Sequence, residues 1–359
     1  MNKNILLISC LLFTLSLSAQ EPAGYYNAAD GKKGRALRIA LAQIINNNAI
    51  ELSYGSGLWN AFLQTDVKSN GKIWDIYSDT PNGTPPYEYT PVSDQCGNYS
   101  GEGVCYNKEH SVPASWFGDQ TPMYSDLFHI YPTDGYVNNR RSNYPYGEVG
   151  NASWTSRNGS KLGNSITPGY SGTVFEPIDA YKGDLARGFF YMCTRYYNRD
   201  FDKGSPSMFT DGNLNPWALA MLIRWHEQDP VSQKERDRNN AVFSLQHNRN
   251  PFVDYPELVG KVFGADSVNA FHYGTSIALV DPALMAVYPN PAHEQFTIQS
   301  NSVEINEIVV FDLLGKEVLH TEALNNHCTV NISHLPAGLY ILKIHSENQA
   351  IIVKKIVIQ

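Results

Sequence analysis

Between residues 82 and 172 the chain is dense in Gly, Pro, Asn, Ser and Tyr and carries no sustained apolar periodicity, although helical patterns flank it on both sides. A structureless segment of that length is rare inside a compact domain unless it carries function. The fold must therefore be a helical frame holding a long polar insertion, with short strands and helices embedded in it. The frame is legible in "GKKGRALRIALAQIINN" (31–47), "SGLWNAFLQTDV" (57–67), "DAYKGDLARGFFYMCTRYYNRD" (179–200), "NPWALAMLIRWHEQDP" (215–230) and "SQKERDRNNAVFSLQH" (232–247). Pro216 opens one of these helices and Pro230 ends it. Before the insertion, "KIWDIYSDTP" (72–81) alternates as a strand does.

From about Met285 the texture changes to short β-rich runs separated by turn residues, the pattern of a small antiparallel sandwich. "DLLGKEV" reads as a hairpin with glycine in its turn. Residues 270–284 have no strong periodicity and are expected to be a linker. At the other end, "MNKNILLISCLLFTLSLSAQ" reads as a secretory signal peptide over 1–19. A lipoprotein box at Cys10 is the rival, but the apolar run continues past that cysteine. No other stretch approaches the apolar length of a membrane span, so an exported chain with no span is expected. In an oxidising compartment Cys96 and Cys105 are the expected disulfide, and Cys193, inside "FFYMC", a buried free thiol. The 22 tyrosines suit a wet, secreted protein with polar surfaces.

Net charge is −8, and the last 75 residues hold four Lys/Arg against seven Asp/Glu. Neither part is basic, so any contact with nucleic acid must come from a local patch. The insertion offers one. Glu109-His110 sets a possible base beside a possible metal ligand, although on a regular strand the two would face opposite ways, so a shared site needs a strand end or bulge. "SDLFHIYP" (125–132) alternates as a short strand, with His129 and Leu127 on one face and Phe128 and Ile130 on the other. "GYVNNRRSN" (135–143) can start a helix on which Asn138 and Arg141 share a face. Strand, strand and helix could bring a base, a metal and a phosphate-binding arginine together, as metal-assisted phosphodiester hydrolysis requires. No His-Glu-x-x-His is present for a zinc protease, and no serine stands in a nucleophile elbow.

"NKEHSVPASWFGD", "SDLFHIYPTDGYVNNRRSNYPYGEV", "VFEPIDAYKGDLARGFFYMCTRY" and "WHEQDPVSQKERDRNNAVFSLQHNRNPFVDYPE" resemble, in order, successive blocks of the endonuclease I family, over roughly residues 25–265. The resemblance implies an α+β fold with a ββα-metal (His-Me finger) core in a mainly helical frame, over 20–269. It also implies His110 as general base, with Glu109 and Asn138 as ligands of one Mg²⁺ ion, or Ca²⁺ or Mn²⁺ in its place, and a 5′-phosphate product. His129 stands where the family carries histidine or asparagine; it either orients a neighbour or substrate, or is a structural hydrogen-bonding residue. Arg141 either clamps the scissile phosphate or pins the loop through a carboxylate. Arg140 is expected to face solvent and make a non-specific contact with the nucleic-acid backbone, Asp184 and Arg187 to form a surface ion pair, and the turn at Asn248, Arg249 and Asn250 to shape a groove wall. His226 and His247 have no partners identifiable in the sequence.

"VYPNPA", "FDLLGKEV", "LPAGLYILKI" and "VKKIVIQ" resemble the sorting domain of the type IX secretion system, over 285–359. Together the two resemblances imply a nuclease carried through the periplasm to the cell surface or beyond, whose partners are DNA, with RNA also open, and the type IX machinery. A ribonuclease using the same site, and an inactive surface adhesin, are the alternatives.

Overall fold

A computed structural model describes residues 21–201, 203–204, 207–273, 285–300, 304–346 and 351–359. The expected signal segment, 1–19, and most of the expected linker, 274–284, lie outside these residues. The chain divides into two compact units, one through Phe271 and one from His272. No helix among the described residues is long and apolar enough to cross a membrane.

The first unit mixes helices and short strands. Its helices are α1 (Gly34–Asn46), α2 (Ser56–Thr65), α3 (Gly135–Arg141), α4 (Lys182–Arg195), α5 (Pro216–Gln228), α6 (Gln233–Gln246), α7 (Pro251–Asp254) and α8 (Leu258–Phe263). A two-stranded sheet joins β1 (Tyr106–His110) to β2 (Ile130–Asp134). A second runs in the order β3 (Val149–Thr155), β4 (Lys161–Ser165), β5 (Thr173–Glu176), and a minimal hairpin pairs β6 (Phe209–Thr210) with β7 (Asn213–Leu214). Helix α4 is central: every residue in it is buried, and it packs on α1, α5 and α7. Close approach depends on Gly183, where a Cβ would collide with the Asp229 carbonyl oxygen.

Because α4 has no solvent face, its charges must be paired inside the protein. The expected surface pair Asp184–Arg187 is instead buried. Arg187 stands 3.6 Å from Asp184 and binds Glu235 at 2.6 Å, and Lys234 reaches Asp184 at 2.8 Å. Glu235 and Ser232 also close a reciprocal capping box at the start of α6. Further buried pairs are Arg195–Asp126 at 2.6 Å and Arg238–Asp66 at 2.8 Å. The turn expected in a groove wall is interior too: Asn248, Arg249 and Asn250 are buried, and Asn250 caps α7 by accepting from the Phe252 N–H.

The tyrosines also depart from expectation. Tyr26, Tyr77, Tyr106, Tyr146, Tyr181 and Tyr191 are fully buried. Several give their hydroxyl to an acid, as Tyr26 does to Asp254 at 2.6 Å and Tyr191 to Asp126 at 3.0 Å. The ring supplies apolar burial while the hydroxyl adds a donor to a buried carboxylate that an arginine also holds, Arg249 for Asp254 and Arg195 for Asp126.

One expected strand, over 72–81, is mostly turns, and another, over 125–132, is a strand only from Ile130. Over 72–81, only Ile73 makes a bridge, to Val67. Asp75 folds the rest, its side chain accepting from the N–H of Tyr77 at 2.7 Å and of Asp134 at 2.8 Å. Leu127–His129 is a single 3₁₀ turn capped by Asp126, whose carboxylate accepts from the Phe128 N–H, and β2 begins only at Ile130. Aspartate competes with sheet pairing by capturing nearby N–H groups, which apolar alternation does not register. The Cys96–Cys105 disulfide is formed, with Cα atoms 5.8 Å apart, and Cys193 is a buried free thiol.

The second unit contains two antiparallel sheets. One runs in the order β11 (Glu317–Asn325), β10 (Ile305–Phe311), β13 (Gly338–Ser346), β14 (Ile351–Ile358). The other runs β12 (His327–Asn331), β9 (Gln295–Ser300), β8 (Met285–Tyr288). Phe296 and Ile298 from one sheet meet Ile308, Val310, Leu342 and Ile344 from the other in a single apolar core. The β10–β11 hairpin turns at Gly315, at φ +79°, with Asp312 accepting from the N–H groups of Leu314 and Lys316.

Candidate active site

The polar insertion forms its centre from β1, β2 and α3. The strands pair antiparallel, with Tyr106 opposite Asp134 and His110 opposite Ile130, and α3 follows β2 without a loop. Asp134 makes that junction. Its Oδ1 caps α3 by accepting from the Val137 N–H at 2.8 Å, and its Oδ2 accepts from Tyr89 at 2.5 Å and the Gly103 N–H at 2.7 Å.

His110 is the last residue of β1, where the strand gives way to Ser111. That strand end lets neighbouring side chains serve one site: Glu109 and His110 both line a cavity of about 270 Å³, joined there by Asn138 and Arg141 from α3. His129 does not line it. Its ring is fully buried behind His110, with centroids 5.4 Å apart, and its Nε2 lies 2.7 Å from the Met123 carbonyl.

Glu109 is almost fully buried. Its Oε1 accepts from Tyr77 at 2.8 Å and from Arg141 Nη1 at 2.9 Å. Burial raises its carboxyl to about 7, against the opposing pull of Arg141. Arg141 has both terminal nitrogens engaged, while its Nε has no hydrogen-bond partner among the described residues. Besides Glu109 it donates to the carbonyls of His110 at 2.8 Å and Ser111 at 2.6 Å, and it lies 4.6 Å from the centre of the Tyr146 ring. Of the two roles left open for it, this geometry is that of a pin fastening β1 to α3 through a carboxylate.

His110 packs beside a pair of tyrosine rings, Tyr54 and Tyr124, at 5.6 and 5.1 Å, which themselves lie 4.3 Å apart and so on one side of it. Its Nε2 lies 3.1 Å from the Tyr124 carbonyl, an acceptor only, so this nitrogen carries the proton and Nδ1 keeps its lone pair. Burial, and then the nearby His129, lower His110 to about 3, so the ring is neutral at any physiological pH.

Asn138 Nδ2 donates to the Lys108 carbonyl at 3.0 Å, which fixes the amide and leaves its oxygen unused among the described residues. The second oxygen of Glu109 likewise has no hydrogen-bond partner there. Two hard oxygens at the edge of one polar cavity suit a Mg²⁺ or Ca²⁺ ion that keeps several waters. No group of three or more His, Cys, Asp or Glu able to hold a metal occurs among the described residues. A metal here would rest on these two protein oxygens.

Tyr77, Tyr146, Tyr54 and Tyr124 are the site residues that sequence reasoning missed. Tyr77 bridges Glu109 to Tyr146, with 2.8 Å to each. The tyrosine content was the available signal, but nothing in its spacing ties those positions to Glu109.

Comparison with known proteins identifies the family of each unit. A family model described as Endonuclease I matches residues 33–257, and one described as a secretion system C-terminal sorting domain matches residues 286–359. The chain is 34% identical over 248 residues to an extracellular ribonuclease of Bacillus amyloliquefaciens, spanning 67% of this chain and 78% of the relative. It is 33% identical over the same length to an extracellular ribonuclease of Bacillus subtilis, with the same coverage. A periplasmic deoxyribonuclease of Aeromonas hydrophila is 25% identical over 165 residues, covering 41% of this chain and 62% of the relative. With most of its first unit matched to that family, the chain belongs to the endonuclease I family: it is a nuclease that hydrolyses phosphodiester bonds, secreted or carried to the cell surface with a C-terminal sorting domain.

Proposed function

We propose that this nuclease is a metal-dependent, largely sequence-nonspecific endonuclease with a ββα-metal centre, in which His110 is the general base and Glu109 and Asn138 hold one Mg²⁺ ion, with Ca²⁺ or Mn²⁺ as possible substitutes. The observation that carries this reading is the fixed tautomer of His110. Its Nε2 proton is committed to the Tyr124 carbonyl, so Nδ1 is free to take a proton in the cavity that Glu109 and Asn138 share. A divalent ion, when bound, offsets the negative charge that builds on the phosphate and the departing 3′ oxygen.

The chain's own residues do the rest. Nδ1 of His110 removes a proton from water, whose oxygen bonds to phosphorus in line as the P–O3′ bond breaks, leaving a 5′-phosphate and a 3′ oxygen that takes its proton from solvent. Tyr54 and Tyr124 support the imidazole from one side, and Phe117 and His129 pack against it as well. Arg141 and Tyr77 keep one Glu109 oxygen engaged and so aim the other. His129 backs the His110 ring as a positioning residue.

DNA is the proposed substrate, and one observation favours RNA beside it: the relatives matched over most of the catalytic unit are named ribonucleases, whereas the deoxyribonuclease matches over a shorter span. Supercoiled plasmid, single-stranded DNA and RNA, each incubated with the full chain in Mg²⁺ and in EDTA, test both readings. Cleavage of DNA that EDTA abolishes is expected. Cleavage of RNA alone would make the protein a ribonuclease. Cleavage that persists in EDTA would remove the metal, and no cleavage of any substrate in Mg²⁺ would point to an inactive surface protein.

A further inference from the structure

The two faces of α3 do different things. Asn138 and Arg141 look into the catalytic cavity, while Tyr136 and Arg140, one helical turn apart, occupy another face. Tyr136 lies edge-on to Tyr99 at 6.4 Å and to Trp154 of β3 at 6.3 Å, and the Arg140 guanidinium sits 5.4 Å from the centre of the Trp154 ring. Tyr99 itself lines the cavity, and its ring packs so tightly on Gly135 that a Cβ there would stand 2.6 Å away. An aromatic series thus runs from the cavity, across α3, to β3.

All four of these side chains are partly exposed, and none is sealed into the core. Arg140 makes no ion pair or hydrogen bond to a carboxylate among the described residues, whereas Arg141 beside it binds Glu109 and two carbonyls through its terminal nitrogens. Strand β3 is outermost in its sheet, and Gly150, Asn151, Ala152 and Ser153, immediately before Trp154, are small and exposed. Small residues on an open strand next to a tryptophan leave room for a flat group to lie against it.

We propose that Tyr99, Tyr136, Trp154 and Arg140 form a stacking track that holds the bases of single-stranded nucleic acid beyond the scissile phosphate. This rests on the endonuclease reading of the cavity and adds to it a preference for strands whose bases are free to unstack. Aromatic faces accept any base, so the track grips without reading sequence, and the unpaired Arg140 supplies the cation for the adjoining phosphate or base. A net acidic chain would in this way obtain a local hold on a polyanion.

The test measures anisotropy of a labelled short oligothymidylate, and of a blunt duplex of equal length, on the full chain carrying His110→Ala in Mg²⁺. Adding Trp154→Ala or Arg140→Gln should weaken single-strand binding about tenfold each, with the duplex changed much less, and Trp154→Phe should restore most of the loss. In the cleaving protein, Trp154→Ala should raise KM for single strands far more than it lowers kcat. Arg140→Gln keeps the test open if Trp154→Ala fails to fold, as thermal melting would reveal. Unchanged single-strand binding in both variants, or equal weakening on the duplex, overturns the track. Binding is read without cleavage, so a wild type that binds the oligomer through these residues but cuts nothing would overturn the nuclease reading and leave the track standing.

Discussion

The two units of this chain are stabilised by different means. Among the described residues of the C-terminal unit, Ser300 alone is a buried polar side chain, and the core there is apolar from Met285 to Ile358. The catalytic unit buries charges throughout: Asp66 with Arg238, Asp126 with Arg195, Glu109 with Arg141, and Asp184 with Arg187, Lys234 and Glu235. A shared apolar core is tolerant, since hydrophobic residues of about the right size fold it. Buried ion pairs are exacting, because removing one partner strands the other in a low dielectric. The difference teaches that the catalytic unit uses charge as interior scaffolding, and that the scaffold ends at the site. Asp126 shows how. It accepts from Tyr191, Tyr196, Arg195 and Gln246, and it caps the turn that carries His129 behind His110.

The sharpest way to break the comparison is Asp126→Ala. It should destabilise the catalytic unit by about 3–5 kcal/mol while leaving the C-terminal unit untouched. Hydrogen exchange resolved by unit checks this, and equal loss of protection in both units would contradict it. Acid should separate the units next. Burial lowers His129 to about 4, although Asp126 opposes the shift, so between the ordinary histidine value and about 4 the unfolded chain binds a proton that the folded one refuses. That stability is fully present above the ordinary value and falls as pH drops towards 4, by about 3 kcal/mol at most. Raised carboxyls such as Glu109 act in the opposite sense, so the His129 share is read by difference: between neutral pH and about 4 the urea midpoint of the wild-type catalytic unit should fall relative to that of His129→Asn. A smaller effect is expected from trimming the apolar core. Ile344→Val should cost the C-terminal unit about 1 kcal/mol in urea melts and leave cleavage unchanged. Smallest of all, Glu307→Gln removes the partly exposed contact with His320, 2.7 Å away, and should move stability by no more than about 0.5 kcal/mol.

The same contrast decides what could be read in the sequence. Strand alternation and the turn at Gly315 gave the C-terminal sheets almost directly, because apolar period and glycine conformation determine them. The helices of the catalytic frame were legible for the same reason, whereas Glu109, His110, Asn138 and Arg141 were marked as one constellation by their polar motifs and the family resemblance those motifs carry. Their convergence was visible only as a condition, namely a strand end at His110, which the structure supplies. What escaped was set by polar groups. Aspartates 75 and 126 turned expected strands into turns, the Asp184–Arg187 pair went inside, and tyrosines expected at the surface became interior partners of acids. A charge in sequence carries no sign of whether it will meet solvent or a counter-charge from a distant helix, as Arg238 meets Asp66.

The central claim is that this scaffold presents a neutral His110, with its proton fixed on Nε2, as the base in phosphodiester hydrolysis. It is tested most directly by comparing the cleavage rate of plasmid DNA and of RNA in Mg²⁺ between the wild-type chain and His110→Ala, with hydrogen exchange to show that the variant keeps its fold. The account predicts a loss of about 10²–10⁴ in kcat. A folded His110→Ala protein cleaving at the wild-type rate would contradict it.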